Sequence, residues 1–111
     1  MALSAQSCVP CQGGIAPMDR DQAEQMLEQV PGWQLSEDAS RIRRRFRLGD
    51  FARATAFVNR VAEIADAEDH HPDITFGYGY AEVEVHTHKI GGLHENDFIL
   101  AAKINEAAEG A

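Results

Sequence analysis

Residues 80–88 read Tyr-Ala-Glu-Val-Glu-Val-His-Thr-His, the clearest alternation of small or apolar residues with polar ones in the chain. Successive side chains of a β-strand point to opposite faces of the sheet, so this stretch predicts a strand with one buried face and one solvated face. Gly79 separates it from residues 73–78, where Ile74 and Phe76 share one face. The two stretches therefore predict a β-hairpin.

A long amphipathic helix is predicted before the hairpin. Gly49-Asp50 opens this helix, and Pro72 limits it to about Asp69, because the residue before a proline is pushed toward extended geometry. Asp66 and His70 then lie one turn apart, a spacing at which a carboxylate can reach an imidazole. The apolar residues recur at helical spacing and form one wide stripe, made of Phe51, Ala54, Phe57, Val58, Val61, Ala62 and Ala65.

The remaining segments complete one domain. A helix is predicted from its N-cap Asp19 to the stop at Pro31-Gly32, and a short strand is predicted around Leu35. A further strand covers residues 41–48, and the last helix starts at about Glu95. Strands joined in hairpins, with helices that each have one apolar stripe, predict an α+β fold. We expect a four-stranded antiparallel sheet with three helices packed on one face.

The charge of the chain restricts its partners. The 111 residues are enough for one core, and their formal net charge of −8 disfavours nucleic acid and anionic membranes as partners. Residues 41–47 contain five arginines, which we interpret as a solvated strand face with Glu82 and Glu84 as opposite-charge neighbours. No apolar run approaches the ~20 residues that span a bilayer, and no export signal is visible, so we expect a cytoplasmic location.

Residues 1–17 are rich in Gly, Ser, Pro and Gln and have no periodic apolar pattern. They predict a flexible leader in front of a domain that covers residues 18–111. The leader contains Cys8 and Cys11, without the strand and helix that flank a thioredoxin-like motif and without the second cysteine pair of a zinc site. We expect both cysteines to be reduced and to have no essential role.

A doubled histidine, His70-His71, lies between the long helix and the hairpin, and His86 and His88 end the hairpin. Imidazole exchanges protons near neutral pH, so this density of histidines indicates acid/base chemistry or a metal. The full spacing resembles the signature of the pterin-4a-carbinolamine dehydratases, and the resemblance covers roughly residues 15–108. In this chain the spacing is Asp66-x3-His70-His71-Pro72-x5-Tyr78-x9-His88-x8-Asp97.

The resemblance implies an activity and an assembly. The expected reaction is the dehydration of 4a-hydroxytetrahydrobiopterin, or a related carbinolamine, to the quinonoid dihydropterin, which is a step of tetrahydrobiopterin recycling. Neither a metal nor an organic cofactor is expected. The resemblance also implies a homodimer or a homotetramer.

The resemblance also implies roles for the site residues. His70 and His88 are expected to form the acid/base pair, and His71 to complete the catalytic set mainly by positioning the pterin. Asp66 is expected to orient His70 through a charge-assisted contact. The two remaining residues of the set have smaller roles: Asp97 would help to shape the site, and Tyr78 would contact the substrate.

Two other functions stay open. A metal-dependent hydrolase or lyase could use Asp66 with the four histidines at positions 70, 71, 86 and 88, because imidazole and carboxylate suit zinc or iron. A non-enzymatic interaction or dimerisation cofactor could instead use exposed sheet edges for self-association. Asp97 also has a plainer interpretation, as a capping residue beside His94 at the start of the last helix.

Overall fold

The computed structural model describes residues 2–9 and 15–110, and it contains a four-stranded antiparallel sheet with three α-helices. The predicted fold class is confirmed. The strands are β1 (Gln34–Leu35), β2 (Ile42–Arg47), β3 (Asp73–Gly77) and β4 (Tyr80–Val85). The helices are α1 (Arg20–Leu27), α2 (Phe51–Glu68) and α3 (Glu95–Glu109), with short 3-10 helices at Leu3–Ala5 and His88–Ile90.

The sheet has the strand order β1-β2-β4-β3, so β3 lies at one edge. The helix-facing side of β2 and β4 carries apolar residues, which are buried at Ile42, Phe46, Ala81, Val83 and Val85. They pack with Phe57 of α2 and with Phe98, Leu100 and Ile104 of α3. Burial of these apolar side chains is the main force that holds the helices on the sheet.

The solvated face of the sheet pairs arginine with glutamate, as predicted. Arg43 and Arg45 lie 3.8 and 3.6 Å from the carboxylate of Glu82, and Arg41 lies 2.7 Å from Glu84. Arg44 lies on the other face, where its guanidinium is 4.5 Å from the centre of the Phe46 ring. Arg43, Arg44 and Arg45 of β2 therefore have partners within the chain, and the exposed pairs are weak surface contacts.

Strand β4 ends earlier than predicted. Its pairing with β2 stops at Val85 and its pairing with β3 stops at Glu84, so no neighbouring strand continues beyond them. Thr87 forms a single bridge with Gly92, and a 3-10 helix begins at His88. The residues after Val85 are therefore not part of a strand and lie beyond the end of the sheet.

Helix α2 ends in a left-handed residue. Asp69 has φ 51° and ψ 41°, and the N–H of His70 donates to the carbonyl oxygen of Ala65 at 3.1 Å. This arrangement is a common way of ending a helix and satisfying its last carbonyl groups. It turns the chain away from the helix axis directly before the doubled histidine.

The start of the chain contacts the helices. Leu3 is buried in the core, and Lys103 of α3 donates to the carbonyl oxygen of Ser4 at 2.9 Å. The domain boundary near residue 17 and the flexibility of the leader stay predictions, and Cys11 lies outside the described residues. None of the helices in the described ranges is long and apolar enough to cross a membrane.

Substitutions at Asp69 test the turn that ends α2. Asp69→Gly and Asp69→Ala both remove the carboxylate. The difference between their free energies of unfolding therefore reports the cost of the left-handed backbone conformation for a residue with a Cβ atom. We expect the glycine variant to be more stable by about 1 kcal/mol, because glycine adopts the left-handed conformation without a steric penalty. Urea unfolding followed by circular dichroism measures the difference.

The same pair of substitutions at Glu63, an exposed position inside α2, provides the control. Alanine should be more stable there by about 1 kcal/mol, because glycine is unfavourable inside a helix. Equal stabilities at position 69 would contradict the assignment of a left-handed helix end.

Candidate active site

A cavity of about 490 Å³ opens where the end of α2 meets the segment after β4. Four of the five histidines of the chain lie near one another there, since His94 alone is not part of the lining. The cavity is lined by Cys8, Val9, Ala67, Glu68, Asp69, His70, His71, His86, Thr87, His88 and Lys89. The structure thus brings together the three predicted catalytic residues, His70, His71 and His88.

Asp97 is the central fixed group of the site, and its side chain is 0% exposed. Its Oδ2 atom accepts hydrogen bonds from the backbone N–H of His94 at 2.9 Å and from the hydroxyl of Thr87 at 2.8 Å. Its Oδ1 atom lies 2.6 Å from Nε2 of His70. The capping role is present, and the same carboxylate also holds His70.

The predicted contact between Asp66 and His70 is wrong. Oδ1 of Asp66 instead lies 2.9 Å from Nε2 of His71. The prediction used the spacing of one regular helical turn between the two residues, but the left-handed turn at Asp69 moves His70 away from the helical face that carries Asp66. The Asp66 side chain is 81% exposed, so its ion pair with His71 is a weak surface contact.

His86 and His88 face each other in the lining of the same cavity. Nε2 of His86 lies 3.1 Å from Nδ1 of His88, and the ring centres are 4.1 Å apart. Burial lowers the pKa of His86, and the neighbouring His88 and Arg41 lower it further, because each of them disfavours a second positive charge. His86 therefore favours its neutral form next to His88.

Within the described ranges, one group of three possible metal ligands lies close together. It consists of Asp73, Glu84 and His86, whose ligand atoms all lie within 4.8 Å of one another. Glu84 already binds Arg41 at 2.7 Å. This group shares only His86 with the ligand set of the metal-dependent alternative, and that set is not gathered into one group of three or more.

Tyr78 is not brought to the cavity. It lies at the turn between β3 and β4, with 76% of its side chain exposed. The six residues of β4 span about 17 Å and separate this turn from His86 at the other end. Within one chain, the predicted substrate contact of Tyr78 has no geometric basis.

Sequence reasoning missed two parts of the site. Thr87 is buried and binds Asp97, although its position in the alternating stretch marked it only as a residue of the inner face. The alternation places a hydroxyl group in an apolar layer, which was a signal that it needs a partner. Cys8 and Val9 also line the cavity, and the composition of the leader carried no such signal.

The site can move protons. It combines one imidazole anchored by a buried carboxylate with further imidazoles in the lining of the same cavity, an arrangement suited to general acid/base catalysis on a small ligand. The protein is therefore a small α+β domain with a histidine-rich cavity suited to acid/base chemistry.

Comparisons with known proteins identify the family. A family model described as pterin 4 alpha carbinolamine dehydratase matches residues 16–107. The chain is 68% identical over 105 residues to a protein of Halorhodospira halophila, covering 95% of this chain and 96% of that protein. It is 51% identical over 110 residues to a protein of Methylococcus capsulatus, covering 99% and 96%. Both relatives have pterin-4-alpha-carbinolamine dehydratase as a provisional name.

Solved structures agree with this result. The transcriptional coactivator/pterin dehydratase from Brucella melitensis superposes with a TM-score of 0.78 at 30% identity, over 83% of this chain and 98% of that one. A pterin dehydratase-like protein identified as a RuBisCO assembly factor in the α-carboxysome has a TM-score of 0.61 at 23% identity, over 69% and 89%, which shows the fold alone. The chain belongs to the pterin 4 alpha carbinolamine dehydratase family, so the resemblance seen in the sequence is confirmed.

Substitutions around Asp97 test its central role. Asp97→Ala should lower the free energy of unfolding by about 3 kcal/mol, because it leaves buried donors without an acceptor. Thr87→Val removes one of those bonds and should cost about 1 kcal/mol. Asp66→Ala, at an exposed carboxylate with a similar histidine contact, is the control and should change stability by less than about 0.5 kcal/mol. If urea unfolding showed equal losses of stability for Asp66→Ala and Asp97→Ala, the central role of Asp97 would be contradicted.

Proposed function

We propose that this protein dehydrates 4a-hydroxytetrahydrobiopterin, or a related pterin 4a-carbinolamine, to the quinonoid dihydropterin and water. The observation that carries the proposal is that His70, anchored by Asp97 at 2.6 Å, and His88 line the same cavity. Family membership supports the substrate class. The reaction belongs to the recycling of tetrahydrobiopterin after a hydroxylation.

The chemistry requires two proton transfers. The bond between C4a and its hydroxyl oxygen breaks, and the oxygen leaves as water after it takes a proton from an imidazolium. The proton on N5 passes to a neutral imidazole as the C4a=N5 double bond forms. One residue acts as general acid and the other as general base, so His70 and His88 together suffice without a metal or an organic cofactor.

The anchored contact determines which atom of His70 reacts. Its Nε2 atom faces Asp97, so Nδ1 is left to exchange a proton with the substrate. A carboxylate partner of this kind fixes the orientation and tautomer of an imidazole, which makes Asp97 a positioning residue. His71 positions the pterin, and Asp66 supports His71 instead of His70.

Replacement of the two imidazoles tests the mechanism. His70→Ala and His88→Ala should each lower the enzyme-catalysed rate by about 10²–10⁴-fold, the usual range for a positioned acid or base. His71→Ala should raise KM more than it lowers kcat, because a positioning group acts in the ground state and in the transition state alike. A coupled assay measures carbinolamine breakdown above its spontaneous rate, with folding checked by circular dichroism.

Two controls make this test decisive. Treatment with a chelator should leave the rate unchanged, and a loss of activity restored by zinc or iron would favour the metal-dependent alternative. Asp66→Asn should change the rate by less than about threefold, because the Asp66–His71 contact is exposed. A folded His88→Ala variant with wild-type activity would contradict the pairing and make His86 the next candidate.

We also propose that the protein forms a homodimer or a homotetramer through the edge strand β3. Phe51, which was predicted to belong to the core stripe of α2, is exposed and stacks on Phe76 of β3 with ring centres 5.8 Å apart. Tyr78 follows at the same edge and is exposed as well. An edge strand, paired on one side only and beside exposed aromatic rings, is suited to pairing with a second copy of this chain.

Phe76→Asp should shift the protein toward the monomer in light scattering at micromolar concentration, because a charge is unfavourable in an apolar contact. Thr75→Asp, on the opposite face of the same strand, is the matched control and should shift it less. A wild-type protein that is strictly monomeric would overturn the proposed assembly without affecting the active site.

The interaction function is the second candidate. The Brucella relative is described both as a transcriptional coactivator and as a pterin dehydratase, and the exposed aromatic edge gives this chain a surface for a protein partner. A variant that lacks His70 and His88 separates the two functions. Rescue of a deletion phenotype by this variant would favour the interaction function over catalysis.

A further inference from the structure

Residues 2–9, which we call the N-terminal strap, are fixed to the helices at several points. Leu3 is buried, and Ser4 accepts a hydrogen bond from Lys103. The backbone N–H of Cys8 donates to Oε1 of Glu68 at 2.7 Å. Glu68 is the last residue of α2, so the strap is bound to the helix end that precedes the catalytic histidines.

A buried amide side chain clamps the end of the strap. Asn96 is only 2% exposed, and its side chain makes two hydrogen bonds to the backbone of Val9. Its Oδ1 accepts from the Val9 N–H at 3.0 Å, and its Nδ2 donates to the Val9 carbonyl oxygen at 2.7 Å. Asn96 precedes Asp97, so one helix start holds both the strap and the anchored histidine.

The clamp places two side chains of the strap at the cavity. Cys8 and Val9 line the cavity together with His70 and His88, and Val9 remains 58% exposed although its backbone is bound on both sides. Burial and, to a smaller extent, the neighbouring Glu68 raise the pKa of the Cys8 thiol to about 12. The thiol therefore stays protonated at neutral pH and offers the cavity an uncharged surface.

We propose that the N-terminal strap is a wall of the pterin site and that Cys8 and Val9 determine which substituents of the pterin are accepted. This inference rests on the proposed function. The reacting atoms C4a and N5 must meet His70 and His88, and C6 is bonded directly to N5. A substituent on C6 therefore projects close to the reacting edge, within reach of a wall that borders the same two histidines.

The wall is additional to the domain that defines the family. The family model begins at residue 16, after the strap has ended. A specificity determinant in this segment can change without any change in the residues that carry out the reaction. The residues that select the substrate are thus different from the residues that carry out the reaction.

Enlarging the wall tests the inference in the full-length protein. Val9→Phe should reduce kcat/KM for a carbinolamine with a three-carbon dihydroxypropyl group at C6 about tenfold more than for one with a methyl group. Changes of a few carbon atoms in a pocket typically discriminate by this amount. Most of the loss should appear in KM. Ser7→Phe adds the same ring to an exposed strap residue that does not line the cavity, and it should leave the ratio unchanged.

Equilibrium binding separates this inference from the proposed function. Titration with 7,8-dihydrobiopterin, followed by fluorescence, should show at least fivefold weaker binding to Val9→Phe than to Ser7→Phe or the wild type. If the wild type binds this pterin but does not accelerate dehydration, the proposed function is wrong, and the binding ratio alone decides the inference. If Val9→Phe retains the wild-type substrate ratio and affinity, the strap is not a wall of the site.

Amide hydrogen exchange provides a second measurement that does not need activity. The Val9 amide should exchange at least tenfold faster in Asn96→Leu, which removes both bonds of the clamp and keeps the side-chain volume similar. The bound pterin should slow exchange at Cys8 and Val9 in the wild type. Exchange at these amides that is insensitive both to the clamp and to the pterin would overturn the inference.

Discussion

The contact between the buried carboxylate of Asp97 and the ring of His70 is the constraint on which the rest of the site depends. Burial of a charged group costs several kcal/mol unless hydrogen bonds compensate for the lost water. At Asp97 the donors are the His94 N–H, the Thr87 hydroxyl and the His70 ring. They come from separate parts of the chain and converge only in the folded protein. The hydrogen bonds that compensate for burying this carboxylate therefore include the one that positions the imidazole of His70.

Two departures from regular secondary structure satisfy this constraint. If α2 continued past Glu68, His70 would stay on the same helical face as Asp66. It could then not reach Asp97 in α3. If β4 continued past Val85, the segment around Thr87 would be committed to a sheet edge that has no neighbouring strand there. The left-handed residue and the early strand end are thus local costs that the buried hydrogen bonds offset.

Periodicity was enough to predict the elements, because the helical stripe of α2 and the alternation in β4 arise from burial on one side. Pairing of side chains at the element ends was not predictable in the same way. The Asp66–His70 prediction applied a rule for continuous helices at the point where the helix stops. The strap carried no periodic signal, because most of its hydrogen bonds use backbone groups and only the Leu3 side chain is fully buried. Local patterns therefore predict the fold well and the site less completely.

The surroundings of the histidines make them chemically different from one another. His86 and His88 lie with ring nitrogens 3.1 Å apart, and burial together with the neighbouring ring lowers the pKa of His86. A positive charge on His86 at this distance from a second imidazole is disfavoured, so His86 favours its neutral form. His70, in contrast, is in direct contact with the buried carboxylate of Asp97, at 2.6 Å. Two histidines can act one as an acid and the other as a base only where their environments favour different protonation states. The fold therefore places three side chains of the same type in different environments.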